Sequence, residues 1–318
     1  MKRREFLRLS VGSIATAALV RPSFAERAPK EIRIGTQKGG YFPAVRQRRT
    51  IEDVFQPLGI EIKWIDFQFG PPLLEAINVG SVDFGYVGDT PPIFAQAAGA
   101  RIRYVAAVKS DGSTQAIIVP KDSPIRTLAD LRGKRIAFAK GSSANNLLVA
   151  ALEKAGIAWG DITPAPLAPA DATAAFVKGS VDAWTIWDPY LALAELKQDA
   201  RVIVFDKDIH RPNSFYIAGT DFVEKHQDLV GRLNRAFAAE GVWANAHHEE
   251  VARAQSEATG VDIEAIRRFV DRSNYQVVPI DDEIVRSQQA IADRFARTGL
   301  IPKQVQVVDI IWKWTPGA

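Results

Sequence analysis

Four polar turns, each following a short apolar run, carry the residues best suited to chemistry. Thr36-Gln37-Lys38-Gly39-Gly40 follows Glu31–Gly35, and Gly88-Asp89-Thr90 follows Phe84–Val87. Lys140-Gly141-Ser142-Ser143-Ala144-Asn145-Asn146 follows Arg135–Ala139, and Trp187-Asp188-Pro189-Tyr190 ends the run Ala183–Trp187. A strand, a Gly-Ser-Ser turn and a helix start together aim unpaired backbone N–H groups and the positive end of a helix dipole at one spot, which suits an anion. The same serines and asparagines would serve equally well as plain helix caps, so the motif leaves both roles open. It lacks the GxxxxGK[ST] spacing of a phosphate-binding loop, which argues against a nucleotide.

Catalytic and metal-binding patterns are missing. Asp89 and Asp188 could pair as general acid and base, but both precede proline-opened helices that they could simply cap. The four histidines, His210, His226, His247 and His248, show no metal-ligand spacing and read as surface residues. The chain has no cysteine, which removes thiol nucleophiles and disulfides. There is no GxSxG, HExxH or GxGxxG after the first strand. No metal and no cofactor is expected.

The elements that must position these turns are built twice. Gly80–Asp83 and Gly179–Asp182 both read Gly-Ser-Val-Asp, each after a helical run and before an apolar strand. Glycine supplies the left-handed residue that ends a helix, so the echo predicts the same corner in two lobes, with the strand-end turns facing across a cleft. Trp184 and Trp187 fall on opposite faces of the second copy's strand; Trp187, next to the turn, is expected in the cleft and Trp184 in the core.

The reading along the chain is strands alternating with helices, a first crossing between lobes at Pro120–Pro124, a return crossing at Phe215–Ala218, and a mostly helical tail from Asp221. Leu229, Leu233 and Phe237 mark one apolar face, and Ile284 through Phe295 another. The tail should wrap back onto the first lobe. The expected boundaries are 26–117 for the first part of lobe one, 118–213 for lobe two and 214–318 for the return.

Residues 1–25 form an export signal: Arg3-Arg4 with Phe6-Leu7, the apolar run Val11–Val20, and Ser23-Phe24-Ala25 as the cleavage site. This is the twin-arginine pattern, with cleavage expected after Ala25. Removing its five basic residues and one acid from totals of 40 and 37 leaves 35 basic against 36 acidic residues. A nucleic-acid partner therefore has no electrostatic support.

At these residues the sequence resembles the aliphatic sulfonate-binding family of periplasmic substrate-binding proteins, related to taurine- and nitrate-binding proteins. The resemblance runs through Gly35–Gly39, Gly70–Ala76, Asn78–Asp83, Pro91–Ala100, Lys140–Ser143 and Val181–Pro189. It implies an α/β type II periplasmic-binding fold, two lobes with a ligand cleft, that works as a monomer and docks on an ABC permease. By position, it implies that Gln37, Gly88, Asp89, Ser142, Ser143, Asn145, Trp187 and Asp188 line the cleft. Amides, hydroxyls and helix ends would take the sulfonate and Trp187 its tail. Tyr86-Val87 before Gly88 departs from the family's usual Ser-Thr and reshapes the pocket. Taurine, nitrate or a thiamine-pyrimidine precursor are alternative ligands, and an enzyme on the same fold is the remaining rival.

Overall fold

Short β-branched runs separated by glycine and proline punctuation make the strands, and apolar stripes between them make the helices. The computed structural model describes residues 28–210 and 212–316; the expected signal peptide, 1–25, lies outside the described residues. The first lobe opens with β1 (Glu31–Thr36), α1 (Phe42–Arg48), α2 (Thr50–Phe55) and β2 (Glu61–Asp66). Next come α3 (Gly70–Asn78), β3 (Phe84–Val87), α4 (Thr90–Ala97) and β4 (Ile102–Lys109). The second lobe holds β5 (Gln115–Pro120), β6 (Arg135–Phe138), α5 (Ser143–Lys154), β7 (Thr163–Pro166) and α6 (Pro169–Val177). It closes with β8 (Ala183–Trp187), α7 (Tyr190–Lys197) and β9 (Ala200–Phe205). The chain then returns through β10 (Asn213–Gly219), α8 (Thr220–Lys225), α9 (Gln227–Ala246) and α10 (His248–Thr259). It ends with α11 (Ile263–Asp271), β11 (Val277–Val278) and α12 (Asp282–Arg297).

The two sheets share a plan. One runs β11-β4-β10-β3-β1-β2 and the other β7-β6-β8-β5-β9. In each, a parallel trio (β2-β1-β3 or β7-β6-β8) is continued by an antiparallel strand, β10 or β5, that enters from the opposite lobe. The two Gly-Ser-Val-Asp corners take matching places in this plan. Gly80 and Gly179 are left-handed, with φ of 71° and 67°. Asp83 accepts from the Arg33 amide at 2.8 Å and Asp182 from the Arg135 amide at 2.7 Å, so each aspartate holds the first strand of its own trio. Val79 and Val177, beside the corners, are exposed at 73% and 64%.

Apolar residues from the helical return complete the first lobe's core. Phe237 of α9 stacks on Phe42 with ring centroids 4.4 Å apart and lies parallel to Phe84 at 5.5 Å. Burying a phenylalanine this fully is worth about 2–3 kcal/mol, so α9 is anchored to the sheet. On the other face Phe295 and Ile291 of α12 join Leu73, Ile77 and Phe215. The second lobe packs Leu147 and Leu148 of α5 on one face of its sheet, and Phe176, Trp184 and Leu191 on the other. Trp184 is 1% exposed, in the core as its strand position predicts.

The crossings fall earlier than the sequence reading placed them. Gln115–Pro120 already pairs with β8 and β9, so the chain changes lobes within 110–114, not at residue 118 or at Pro120–Pro124. The return follows β9, which ends at Phe205, and Phe215–Ala218 lies inside β10. The signal overlooked is Ser110-Asp111-Gly112-Ser113, a polar turn with Gly112 at φ 80° and the Ser113 amide bound to Asp111. The crossings lie side by side: the Lys207 amide donates to the Gly112 carbonyl at 3.2 Å.

Candidate ligand-binding site

The parallel strands deliver their carboxyl-end turns to one cleft between the lobes, where open α/β sheets bind ligands. The turns after β1, β3, β6 and β8 carry Gln37, Gly88 with Asp89, Ser142 with Ser143, and Trp187 with Asp188. These seven residues line a single cavity of about 120 Å³. Gly88 and Ser143 meet across it: a Cβ on Gly88 would stand 2.9 Å from Ser143 Oγ. Gly39 lies against the Trp187 ring and the Asp188 carbonyl, and Gly40 against Tyr86. Gln255, itself buried, binds the carbonyls of Lys38 and Gly40 at 2.9 and 2.8 Å and fixes the first turn.

The helix ends give the cavity its field. Gly70 at the start of α3, Asp89 before α4, Ser143 at the start of α5 and Asp188 before α7 all contribute to the wall, so four positive dipole ends converge. At α5 the Ser142 side chain does not cap; its hydroxyl donates back to the Ala139 carbonyl at 2.6 Å. Among the described residues, the Ser143 and Ala144 amides make no hydrogen bond within the chain. Donors of this kind at a helix end are what an anionic oxygen needs.

Each wall carboxylate has partners of its own. Asp89, fully buried, accepts from the Thr90 hydroxyl at 2.7 Å and from Asn146 Nδ2 at 2.9 Å. Asp188 Oδ1 accepts from the Ala192 amide at 2.9 Å, capping α7, and Oδ2 faces Arg272 Nη1 at 3.5 Å. Burial outweighs these partners and pushes Asp188 up to about 7. Asp206, in the return crossing, accepts from Gln115 Nε2 at 2.7 Å and meets His210 Nδ1 at 2.6 Å. Burial raises it to about 6.

His210 corrects the sequence reading of four surface histidines. Its side chain is 15% exposed and lies between Asp206 and Asp89, with Nε2 3.7 Å from the latter. Burial works against its charge, but the two carboxylates prevail and lift it to about 9. The only local signal was Asp206, four residues before it. Asn145 is the one expected cleft residue that does not reach the wall. In the first turn of α5 its Oδ1 folds back to accept from the Gly141 amide at 3.1 Å, and the residue faces a separate hollow with Phe94 and Trp159. Sequence reasoning did not single out Gln115, Asp206, Arg272 or Tyr275, which come from the start of β5, the return crossing and the helical return.

Residues 55–252 match the family model described as NMT1/THI5 like. The periplasmic aliphatic sulphonate binding protein SsuA from Escherichia coli is 38% identical, with a TM-score of 0.83 over 91% of this chain and 94% of that one. The alkanesulfonate-binding protein SsuA from Xanthomonas axonopodis pv. citri, solved bound to MOPS, is also 38% identical, with a TM-score of 0.82 over 89% and 98%. The desulfurization enzyme DSZB, at 16% identity and a TM-score of 0.65, shares the fold alone. A doubled α/β plan with its turns on one anion-suited cleft, matched along nearly its whole described length at this identity, means that the chain belongs to the NMT1/THI5-like family and, within it, to the aliphatic sulfonate-binding proteins.

Proposed function

We propose that this protein captures an organosulfonate between its lobes, outside the cytoplasm, and hands it to an ABC importer without altering it. The observation that carries the reading is the start of α5: two free amides, at a helix end, beside the Ser143 hydroxyl and facing Gly88 of the other lobe. A sulfonate spreads one charge over three oxygens, so donors from both lobes can bind it at once and favour the closed state. Gln37, Gly88, Ser143 and the free amides of Ser143 and Ala144 would hold the head group, Ser142 would fix the turn, and Trp187 would flank the tail. The family relationship and the sulfonate names of the two SsuA relatives support this assignment. A periplasmic location is supported by the sequence reading and the periplasmic relative from Escherichia coli; export by the twin-arginine route and a monomeric working form rest on the sequence reading alone.

Calorimetric titration of the chain from Glu26 against alkanesulfonates, arylsulfonates, taurine, nitrate and sulfate tests it. Saturable binding of an organosulfonate with inert sulfate and unchanged ligand is the expected result. Silence towards every sulfonate, or turnover of one, would overturn the proposal.

A further inference from the structure

Behind the turn that starts α5 lies a second hollow, of about 220 Å³, separate from the ligand cavity. Phe94 of α4 and Leu300, just past α12, reach it from the first lobe, and Phe138, Trp159 and the β7 prolines reach it from the second. Trp159 packs against an apolar core of each lobe. Its ring meets Phe138 edge to face at 5.6 Å, and Phe94 meets Phe295 likewise at 5.0 Å, so the walls are rings held in place by the cores. The two spaces share one turn and divide its residues. Ser142 and Ser143 line the ligand cavity, whereas Lys140 and Asn145 line the hollow.

Two polar groups of that turn want an acceptor. Asn145 is 2% exposed; its Oδ1 is spent on the Gly141 amide at 3.1 Å, and among the described residues its Nδ2 donates to nothing. A buried amide donor without an acceptor carries a desolvation cost that a ligand oxygen would remove. Lys140, on the other side of Gly141, is exposed, and among the described residues its ammonium makes no ion pair. An oxygen that accepts from the amide and carries negative charge for the lysine satisfies both. The rest of the lining is aromatic or aliphatic and suits the face and edge of a small ring.

We infer that this hollow is a second ligand site, for a single-ring aromatic carboxylate, with the ring among Phe94, Leu300 and Trp159 and the carboxylate on Asn145 Nδ2 and the Lys140 ammonium. Because its walls come from both lobes, an occupant favours the closed form. Resting on the sulfonate reading, the two sites are then coupled, and each ligand tightens the other by the same factor.

The probe is benzoate, titrated by calorimetry into the chain from Glu26 with and without saturating butanesulfonate. Benzoate should bind with a dissociation constant on the order of 0.1–1 mM, and about fivefold tighter when butanesulfonate fills the cleft. Lys140→Gln should weaken benzoate about fivefold and Trp159→Ala should abolish its binding, with circular dichroism reporting the fold. Lys140→Gln should leave butanesulfonate affinity, measured alone, unchanged. No benzoate binding in either state, or binding that both variants leave intact, would overturn the inference, and so would binding that butanesulfonate abolishes, since benzoate would then occupy the cleft. Should Trp159→Ala fail to fold, Lys140→Gln decides. Benzoate affinity indifferent to butanesulfonate would overturn the coupling. Silence of butanesulfonate alone would count against the sulfonate reading, and the benzoate titration would still judge the hollow.

Discussion

Arg272, at the end of α11 in the helical return, donates from Nη2 to both carboxylate oxygens of Glu195 on the second lobe, at 3.0 and 2.7 Å. The opposite flank of the cleft has its counterpart, where Arg294 and Arg297 of α12 reach Glu153 of α5 at 2.8 and 3.0 Å. The lobes are thus tied on both sides of the ligand cavity by ion pairs that an open form would break. Arg272 and Arg294 are 18% and 17% exposed, whereas Arg297 is 63% exposed, so the three pairs are unequal. Solvent screens the Arg297 pair far more than the pairs of Arg272 and Arg294.

Replacing Arg272 with Gln should therefore favour the open form and weaken ligand binding by about 1–2 kcal/mol, with folding retained. Arg297→Gln should change affinity by less than about 0.5 kcal/mol. Small-angle scattering of the unliganded proteins, alongside titration, checks both. An unchanged radius and affinity in the Arg272 variant would remove it from closure.

Gly88→Ala places a methyl 2.9 Å from Ser143 Oγ. The backbone there is ordinary, and the obstacle is a side-chain tip on the other lobe. The cost should appear in closing and not in folding: an affinity loss of about tenfold with a nearly unchanged unfolding midpoint. Gly88→Ala combined with Ser143→Gly should recover part of the loss of closure, as read by scattering.

His210 sets a pH dependence whose sign follows from its neighbours. Its folded value is raised from 6.5 to about 9, so the folded chain keeps a proton that the unfolded chain has lost. The stabilisation is complete below about 6.5 and disappears as pH rises towards 9. Asp188, raised from 3.8 to about 7, has the same sign in a lower window. Thermal unfolding should show a midpoint that falls steadily between pH values of about 6 and 9, and His210→Gln should flatten that fall. A midpoint that rises over the window would contradict the charge on His210.

The doubled corner offers an internal comparison. Asp83 holds both the Arg33 amide and its guanidinium, at 2.8, 3.0 and 2.7 Å, whereas Asp182 holds the Arg135 amide. Asp83→Ala should cost about 2–3 kcal/mol of stability and Asp182→Ala about 1 kcal/mol. Denaturant unfolding of the two variants measures the difference; equal costs would mean that the guanidinium adds nothing.

What could be read from the sequence was local chemistry. Glycines that end helices, prolines that open them, and the Ser-Ser and Gly-Asp turns at strand ends depend on neighbours a few residues away, and the structure gathers those turns on one cavity. Asn145 misled because a residue three places along a turn can either face a ligand or fold back onto its own loop. Thr163–Pro166 gave no strand signal, since its two prolines suit only an edge, which is where β7 lies. His210 and Arg272 were hidden for another reason. Their roles are fixed by Asp89 and Glu195, distant in sequence and brought near by a return crossing and a helix whose placement only the assembled fold decides.

The two corners also make the molecule an instrument. Val79 and Val177 stand in open solvent, one on each lobe, and the chain has no native thiol to compete with a cysteine placed at either position. A donor and acceptor dye attached there would convert each lobe movement into a colour change, so that a corner built twice becomes the two ends of a gauge for the ligand the cleft encloses.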